Sequence, residues 1–303
     1  MKKPYSVIVC RLAASLLMVM FLWTPDRLMA QVPFSETFTN SVLQPGWSYV
    51  SPNPSSTSNL TGSAFQMVAS HENDGCDLWG SNFNAPRLMQ PINPRLDWTL
   101  ETSFTFSPGN NYQGAGILLA DSNGVFTSST KINRIAERAY NPGSGGPVIR
   151  SVGSYTAYSG PVSHFRLKKE GTVYTGWWSS NGVSWQAGGT VTNTDAWTYI
   201  GLFVIRKPWD GVPVNSDVSF TAFEIDLVQP PLTLEADASQ QVVLSWPVDE
   251  NSFSVYSATN LLESNAWTAV TGSHPVTNGS SVFWTNQMPG NVRHFRLQTS
   301  TPP

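Results

Sequence analysis

The 303-residue chain predicts an all-β protein, a large two-sheet sandwich followed by a smaller one. Three observations carry this. Segment after segment alternates apolar with polar side chains, the period of a half-buried strand. Turn signals such as Asn181-Gly182 separate the segments. Helical periodicity is almost absent. Only "TKINRIAERAY" spaces Ile132, Ile135 and Ala139 three and four apart, and it fits a strand running into a loop equally well.

The N-terminus comes first. Lys2, Lys3 and Arg11 form a basic region, and the apolar run Leu12 to Trp23 has twelve residues. That is short for a helix crossing a ~30 Å hydrocarbon core. Leu28-Met29-Ala30 ends in a small residue, so residues 1–30 read as a removable secretory signal. A retained anchor is the alternative. The expected location is extracellular or periplasmic.

Removing Lys2, Lys3, Arg11, Arg27 and Asp26 takes the 17 basic and 20 acidic residues to 13 and 19, a formal charge of −6. No basic block stands out, which argues against a nucleic-acid or anionic-membrane partner. Cys76 is then the one cysteine, so no internal disulfide can form. It reads as small buried filler, with metal ligation the alternative. Scarce charge, abundant Ser, Thr, Asn and Gly, and many tryptophans suit a secreted protein that handles neutral polar ligands.

Strands follow in order. In "DWTLETSFTF", Trp98, Leu100, Thr102, Phe104 and Phe106 share one face. "GAGILLA" with "DSNG" reads as a strand and a turn, with Val125 opening the return. "NPGSGGPVIR" lacks the Gly-Lys-Ser/Thr of a phosphate loop and reads as a mobile surface loop. "YIGLFVI" is apolar on both faces, as a strand covered on both sides must be. "SFTAFEIDLV" places Thr221, Phe223, Ile225 and Leu227 inward, and Glu224 and Asp226 outward. About a dozen such segments between residues 31 and 228 suit a jelly roll. Pro230-Pro231 then interrupts the pattern, marking a linker at 229–231. From 232 to 303, shorter segments such as "QQVVLSWPV" and "HFRLQT" suggest a compact second sandwich.

Two resemblances follow from these residues. "FSETFTNSVLQPGW", "DGCDLWGSNFNAPRLMQ", "YQGAGILLADSNG" and "HFRLKKEGTVYTGWWSSNGVSWQ" resemble the concanavalin-like jelly-roll module attached to bacterial β-xylosidases, with its laminin-G-like relatives. That family more often has Asp where Asn181 stands. "VVLSWP", "SVYSATNLLESNAWTAV" and "HFRLQ" resemble an immunoglobulin/fibronectin-III-like domain of secreted polysaccharide-degrading proteins. The resemblance implies association with carbohydrate without chemistry of its own.

Candidate ligand contacts come from aromatic and hydrogen-bonding residues placed together. In "TVYTGWWSSNGVSWQ" the consecutive Trp177 and Trp178 must point to opposite faces, so one leaves the core unless both faces are packed. Trp178 is carried as a candidate. Asp77, Trp79 and Arg87 supply an apolar plate, a carboxylate and a guanidinium. Tyr112 joins them, as do Arg206 and Trp209 in "RKPWDG". His71, Glu72, Asp74 and Asp77 match no zinc or EF-hand spacing. No cofactor is required, and a structural Ca²⁺ is an alternative to a solvated loop. Glu224 and Asp226 lack a third carboxylate, and none of the four histidines sits in a catalytic motif. The expectation is a secreted, non-catalytic, lectin-like protein whose partner is a polysaccharide or other glycan. A glycoside hydrolase or polysaccharide lyase on the same scaffold, and an envelope adhesion or structural protein, are the alternatives.

Overall fold

The computed structural model describes residues 33–79, 82–124, 126–141 and 146–228, then 233–236, 241–247, 253–258, 268–270, 275–278, 281–287 and 294–299. The expected signal at 1–30 and linker at 229–231 lie outside the described residues, as does Val125.

The first fourteen strands are β1 (Ser48–Val50), β2 (Thr57–Leu60), β3 (Phe65–Ala69), β4 (Arg87–Pro91), β5 (Trp98–Thr105), β6 (Gln113–Ala120) and β7 (Ile132–Asn141), followed by β8 (Gly146–Ser151), β9 (Ser154–Ala157), β10 (His164–Glu170), β11 (Val173–Ser179), β12 (Trp185–Thr192), β13 (Tyr199–Arg206) and β14 (Ser216–Leu227). They form two seven-stranded sheets, ordered β1-β4-β13-β6-β7-β8-β9 and β12-β11-β10-β5-β14-β3-β2. Every pairing is antiparallel, and no helix occurs among the described residues. This is the expected all-β, two-sheet jelly-roll sandwich. The segment "TKINRIAERAY" resolves as strand β7.

Alternation dictates the core. Trp98, Leu100 and Phe104 of β5 point inward, and Phe104 stacks on Phe165 of β10 at 5.1 Å. β13 is buried along both faces from Ile200 to Arg206, as its apolar run requires. Strand β14 departs from expectation at one residue. A bulge between Phe220 and Ala222 shifts its register, so Val218, Phe220, Phe223 and Ile225 face inward. Thr221, expected inward, is therefore exposed.

The tryptophan pair on β11 separates as the pleat demands. Trp178 is buried, its ring 4.5 Å from that of Tyr158, whereas Trp177 is half-buried on the outer face. In the β11–β12 turn, Ser179 Oγ accepts from the amides of Asn181 and Gly182, and Asn181 Oδ1 from those of Val183 and Ser184. Gly182 takes φ 72°, the left-handed conformation this turn needs. Cys76 is buried as filler, its Sγ 3.1 Å from Ser56 Oγ, and burial pushes its thiol pKa up.

The later strands are β15 (Thr233–Ala236), β16 (Gln241–Pro247), β17 (Phe253–Ala258), β18 (Thr268–Ala269), β19 (Val276–Asn278), β20 (Ser281–Gln287) and β21 (His294–Thr299). They make a four-stranded sheet, β15-β16-β20-β19, and a three-stranded one, β18-β17-β21. Leu244, Trp246, Val255, Val282, Trp284 and Leu297 form their buried cluster, which Leu96 joins.

Candidate functional site

A cavity of about 270 Å³ opens on the outer face of the β13-β6-β7-β8-β9 region. Its floor is built by register. Glu137 pairs with Gly116 and Arg150, Ala139 with Gly114 and Val148, and Gly114 with Ile205. Directly paired residues share a face, so Glu137, Ala139, Val148, Arg150 and Ile205 all face the cavity. Gly114 makes room for the carboxylate. A β-carbon there would overlap Glu137 Oε1 and lie 3.0 Å from Ile205 Cγ1.

Arg134 arrives by a bulge. Ile117 pairs with Ala136 but Leu118 with Arg134, so Ile135 is an extra residue in β7. Three residues apart, Arg134 and Glu137 would otherwise face opposite ways. The bulge puts them together, with Arg134 Nη1 3.4 Å from Glu137 Oε1. Arg150 Nη1 lies 3.6 Å from Glu137 Oε2, and Arg134 Nη1 lies 4.0 Å from Asp77 Oδ1. Asp77 Oδ1 and Glu137 Oε1 are therefore at most 7.4 Å apart, the sum of their distances to that nitrogen. Burial pushes the Asp77 carboxyl pKa up, against the lowering effect of the Leu78 amide it accepts from and of Arg134.

Aromatic rings stand around the mouth. Trp79 is 64% exposed, Trp209 61% and Tyr155 43%. The Tyr112 ring packs edge-on to Trp209 at 5.0 Å. Tyr112 takes φ 61°, unusual for a residue other than glycine. Its amide donates to Tyr140 O, and its carbonyl accepts from the Lys207 amide.

Of the seven residues singled out in the sequence, Asp77, Trp79, Tyr112 and Trp209 meet at this cavity. Arg87, Trp178 and Arg206 do not. Trp178 lies in the core, and Arg87 and Arg206 are fully buried. Arg206 acts instead on the loops that carry the rings. Its Nε donates to Val214 O at 2.6 Å, its Nη1 to Asn111 O and Lys207 O, and its Nη2 to Asp210 Oδ1 and Val212 O. It thus ties the loop of Trp209 to that of Tyr112 and is a positioning residue. Arg87 plays a similar part elsewhere: it donates to Ala85 O and Gly124 O and lies 3.7 Å over the Phe126 ring. Burial lowers its pKa to about 10.

Arg134, Glu137, Arg150, Tyr140 and Tyr155 escaped sequence reasoning. The available signal was charge inside otherwise apolar strand segments, "RIAERAY" and "PVIR".

The acidic loop does not converge on one point. Asp74 pairs with Lys207, His71 bonds Asn215 at 2.8 Å, and Asp77 faces the cavity. No cluster of three or more His, Cys, Asp or Glu able to hold a metal occurs among the described residues. Glu224 and Asp226 are exposed on the outer face of the other sheet, away from the cavity. No helix among the described residues is long and apolar enough to cross a membrane.

No protein-family model and no curated protein matches this sequence. Solved structures do resemble its fold. A GH43 protein of Bacillus licheniformis is 16% identical over 64% of this chain and 39% of its own, with a TM-score of 0.46. Lectin I-B4 of Griffonia simplicifolia is 15% identical over 65% of this chain and 100% of its own, with a TM-score of 0.42. An immunostimulatory antigen and pseudo β-1,3-glucanase of Mycobacterium tuberculosis is 12% identical over 65% and 99%, at 0.44. The chain thus spans about two fifths of the Bacillus protein. Likeness at this level carries no chemistry across.

Proposed function

We propose that the protein is a secreted, non-catalytic carbohydrate-binding protein whose glycan lies in the cavity above β6, β7 and β8. The observation that carries this reading is the ring of exposed aromatics, Trp79, Trp209 and Tyr155, around a floor that carries Arg134, Glu137 and Arg150. Exposed indoles are rare without reason, because burying one fully is worth up to ~5 kcal/mol. A sugar covering half of one such face recovers up to ~2.5 kcal/mol, while Gln113, Arg134 and Glu137 meet its hydroxyls. Desolvating those hydroxyls offsets much of the gain, so the expected affinity is weak, ~10⁻³ to 10⁻⁵ M. On this reading residues 232–303 form a fibronectin-III-like spacer. No metal is required.

Binding to a panel of soluble glycans and insoluble polysaccharides tests the reading. Trp79→Ala and Trp209→Ala should each weaken binding about tenfold, corresponding to ~1.4 kcal/mol. Trp177→Ala, on the opposite sheet, should not. Equal loss in all three, or no binding to any glycan by the unaltered protein, would overturn the proposal.

One observation favours a second reading, a glycoside hydrolase. Asp77, its pKa raised by burial, lies within 7.4 Å of Glu137, a span that covers the ~5.5 Å of retaining enzymes. Against it, both carboxyls share one guanidinium and Glu137 is held by two. Release of reducing ends that disappears in Glu137→Gln would establish catalysis.

A further inference from the structure

The cavity holds two guanidiniums, Arg134 and Arg150, and two carboxyls, Asp77 and Glu137, and the guanidiniums are sparsely coordinated. Buried arginines elsewhere in the sandwich give their donors to main-chain carbonyls. Arg206 reaches four such oxygens, Arg138 reaches Tyr158 O and Gly160 O, and Arg87 reaches Ala85 O and Gly124 O. The two arginines of the cavity differ. Among the described residues Arg134 makes one long hydrogen bond, 3.4 Å to Glu137 Oε1, and Arg150 makes an ion pair at 3.6 Å with no hydrogen bond. A guanidinium carries five N–H donors in a planar fork. Their nitrogens are not among the sealed, unpartnered atoms, and both side chains line the cavity. Two cations therefore share the buried Glu137 carboxylate, with Asp77 4.0 Å from one of them. Most of the arginines' donors have no hydrogen-bond partner among the described residues. Lys207 and Asp210, close to Trp209 in the chain, are already paired with Asp74 and Arg206.

We propose that Arg134 and Arg150 receive the carboxylate or sulfate of an acidic saccharide whose ring stacks on the aromatic mouth. This rests on the carbohydrate reading above and narrows it. Paired forks match the planar or tetrahedral oxygens of an anionic substituent, and such charge-assisted bonds are shorter and stronger than those to hydroxyls. The whole chain is acidic, with a formal charge of −3. Attraction to a polyanion must then come from a local site, because the overall field opposes it.

The test uses the full chain after its first thirty residues. Isothermal titration compares polygalacturonate, the same polymer with its carboxyls reduced to alcohols, and a sulfated galactan, each at low and high salt. Polygalacturonate or the sulfated galactan should bind roughly tenfold to a hundredfold tighter than the reduced polymer. Which of the two binds tighter identifies carboxylate or sulfate. The preference should shrink with salt and in Arg150→Gln, but persist in Arg166→Gln on the opposite sheet. Equal affinity for acidic and reduced polymers overturns the inference and leaves the carbohydrate reading standing. So does a preference unchanged in Arg150→Gln. Failure of all three polymers to bind overturns the inference, and failure of the wider glycan panel as well overturns both. The comparison of polymers on the unaltered protein needs no variant to fold.

Discussion

Gly114 is where the cavity floor is most open to test. A methyl group there would overlap Glu137 Oε1 and lie 3.0 and 3.1 Å from Ile205 Cγ1 and Cδ1. Gly114→Ala therefore has to push the carboxylate off its two arginines or shift the strands. Overpacking of this kind costs about 1–3 kcal/mol. For a sandwich of roughly 200 residues that is a melting temperature lower by roughly 2–12 °C. Glu137→Ala removes the atom that is struck. It leaves Arg134 and Arg150 without their shared anion, but both line the open cavity, so we expect about 1–3 kcal/mol. If the clash with Glu137 explains the first cost, adding Gly114→Ala to Glu137→Ala should cost less than about 1 kcal/mol more. The coupling would then be about 1–2 kcal/mol, well inside the range for touching residues. Urea unfolding of the four proteins, followed by tryptophan fluorescence, measures it. Costs that add to within ~0.5 kcal/mol would refute the reasoning, because they would mean Gly114 and Glu137 do not compete for one space.

Three further outcomes follow from the same geometry. Trp178→Ala should destabilise by about 3–5 kcal/mol and Trp177→Ala by far less; urea midpoints of the two variants decide it. Asp77 has a raised pKa in the fold, so it contributes stability below its unfolded pKa that is lost as pH rises through the folded value. Asp77→Asn should accordingly raise the melting temperature at pH 7, with the gain vanishing in acid. A gain that instead grew as pH fell would contradict that sign. Cys76 should resist an aromatic disulfide reagent at neutral pH until the protein unfolds, since it is buried and its thiol pKa is raised. Rapid labelling of the native protein would count against its packing.

Much of the fold was legible because alternation is a local signal. Trp98, Leu100 and Phe104 announce the inner face of β5, and the two-sided apolar run announces the covered strand β13. Legibility failed where register matters. The bulge in β14 turned Thr221 outward, and the bulge at Ile135 brought Arg134 beside Glu137, and neither leaves a mark in the spacing of apolar residues. Arg150 meets Glu137 only because β8 pairs with β7 at that offset. Arg87 and Arg206 misled for another reason. Arginine in a sequence suggests a surface group, yet each is buried here by carbonyls that only the folded loops bring within reach. Trp79, Tyr112 and Trp209 were readable because they sit in polar, Gly- or Pro-containing loops, whereas Tyr140 and Tyr155, on strands β7 and β9, were not.

The backbone of Tyr112 has a consequence for how this protein could be altered. A left-handed φ at a side chain of that size costs about 1–2 kcal/mol relative to glycine. Tyr112→Gly would relieve that strain but lose the ring's packing on Trp209 and add glycine's backbone entropy to the unfolded chain, about 1–2.5 kcal/mol together, so the fold gains little while the cavity loses an aryl wall. Selection for stability alone would therefore leave that wall undefended, and on the carbohydrate reading proposed above the property lost would be retention of the glycan.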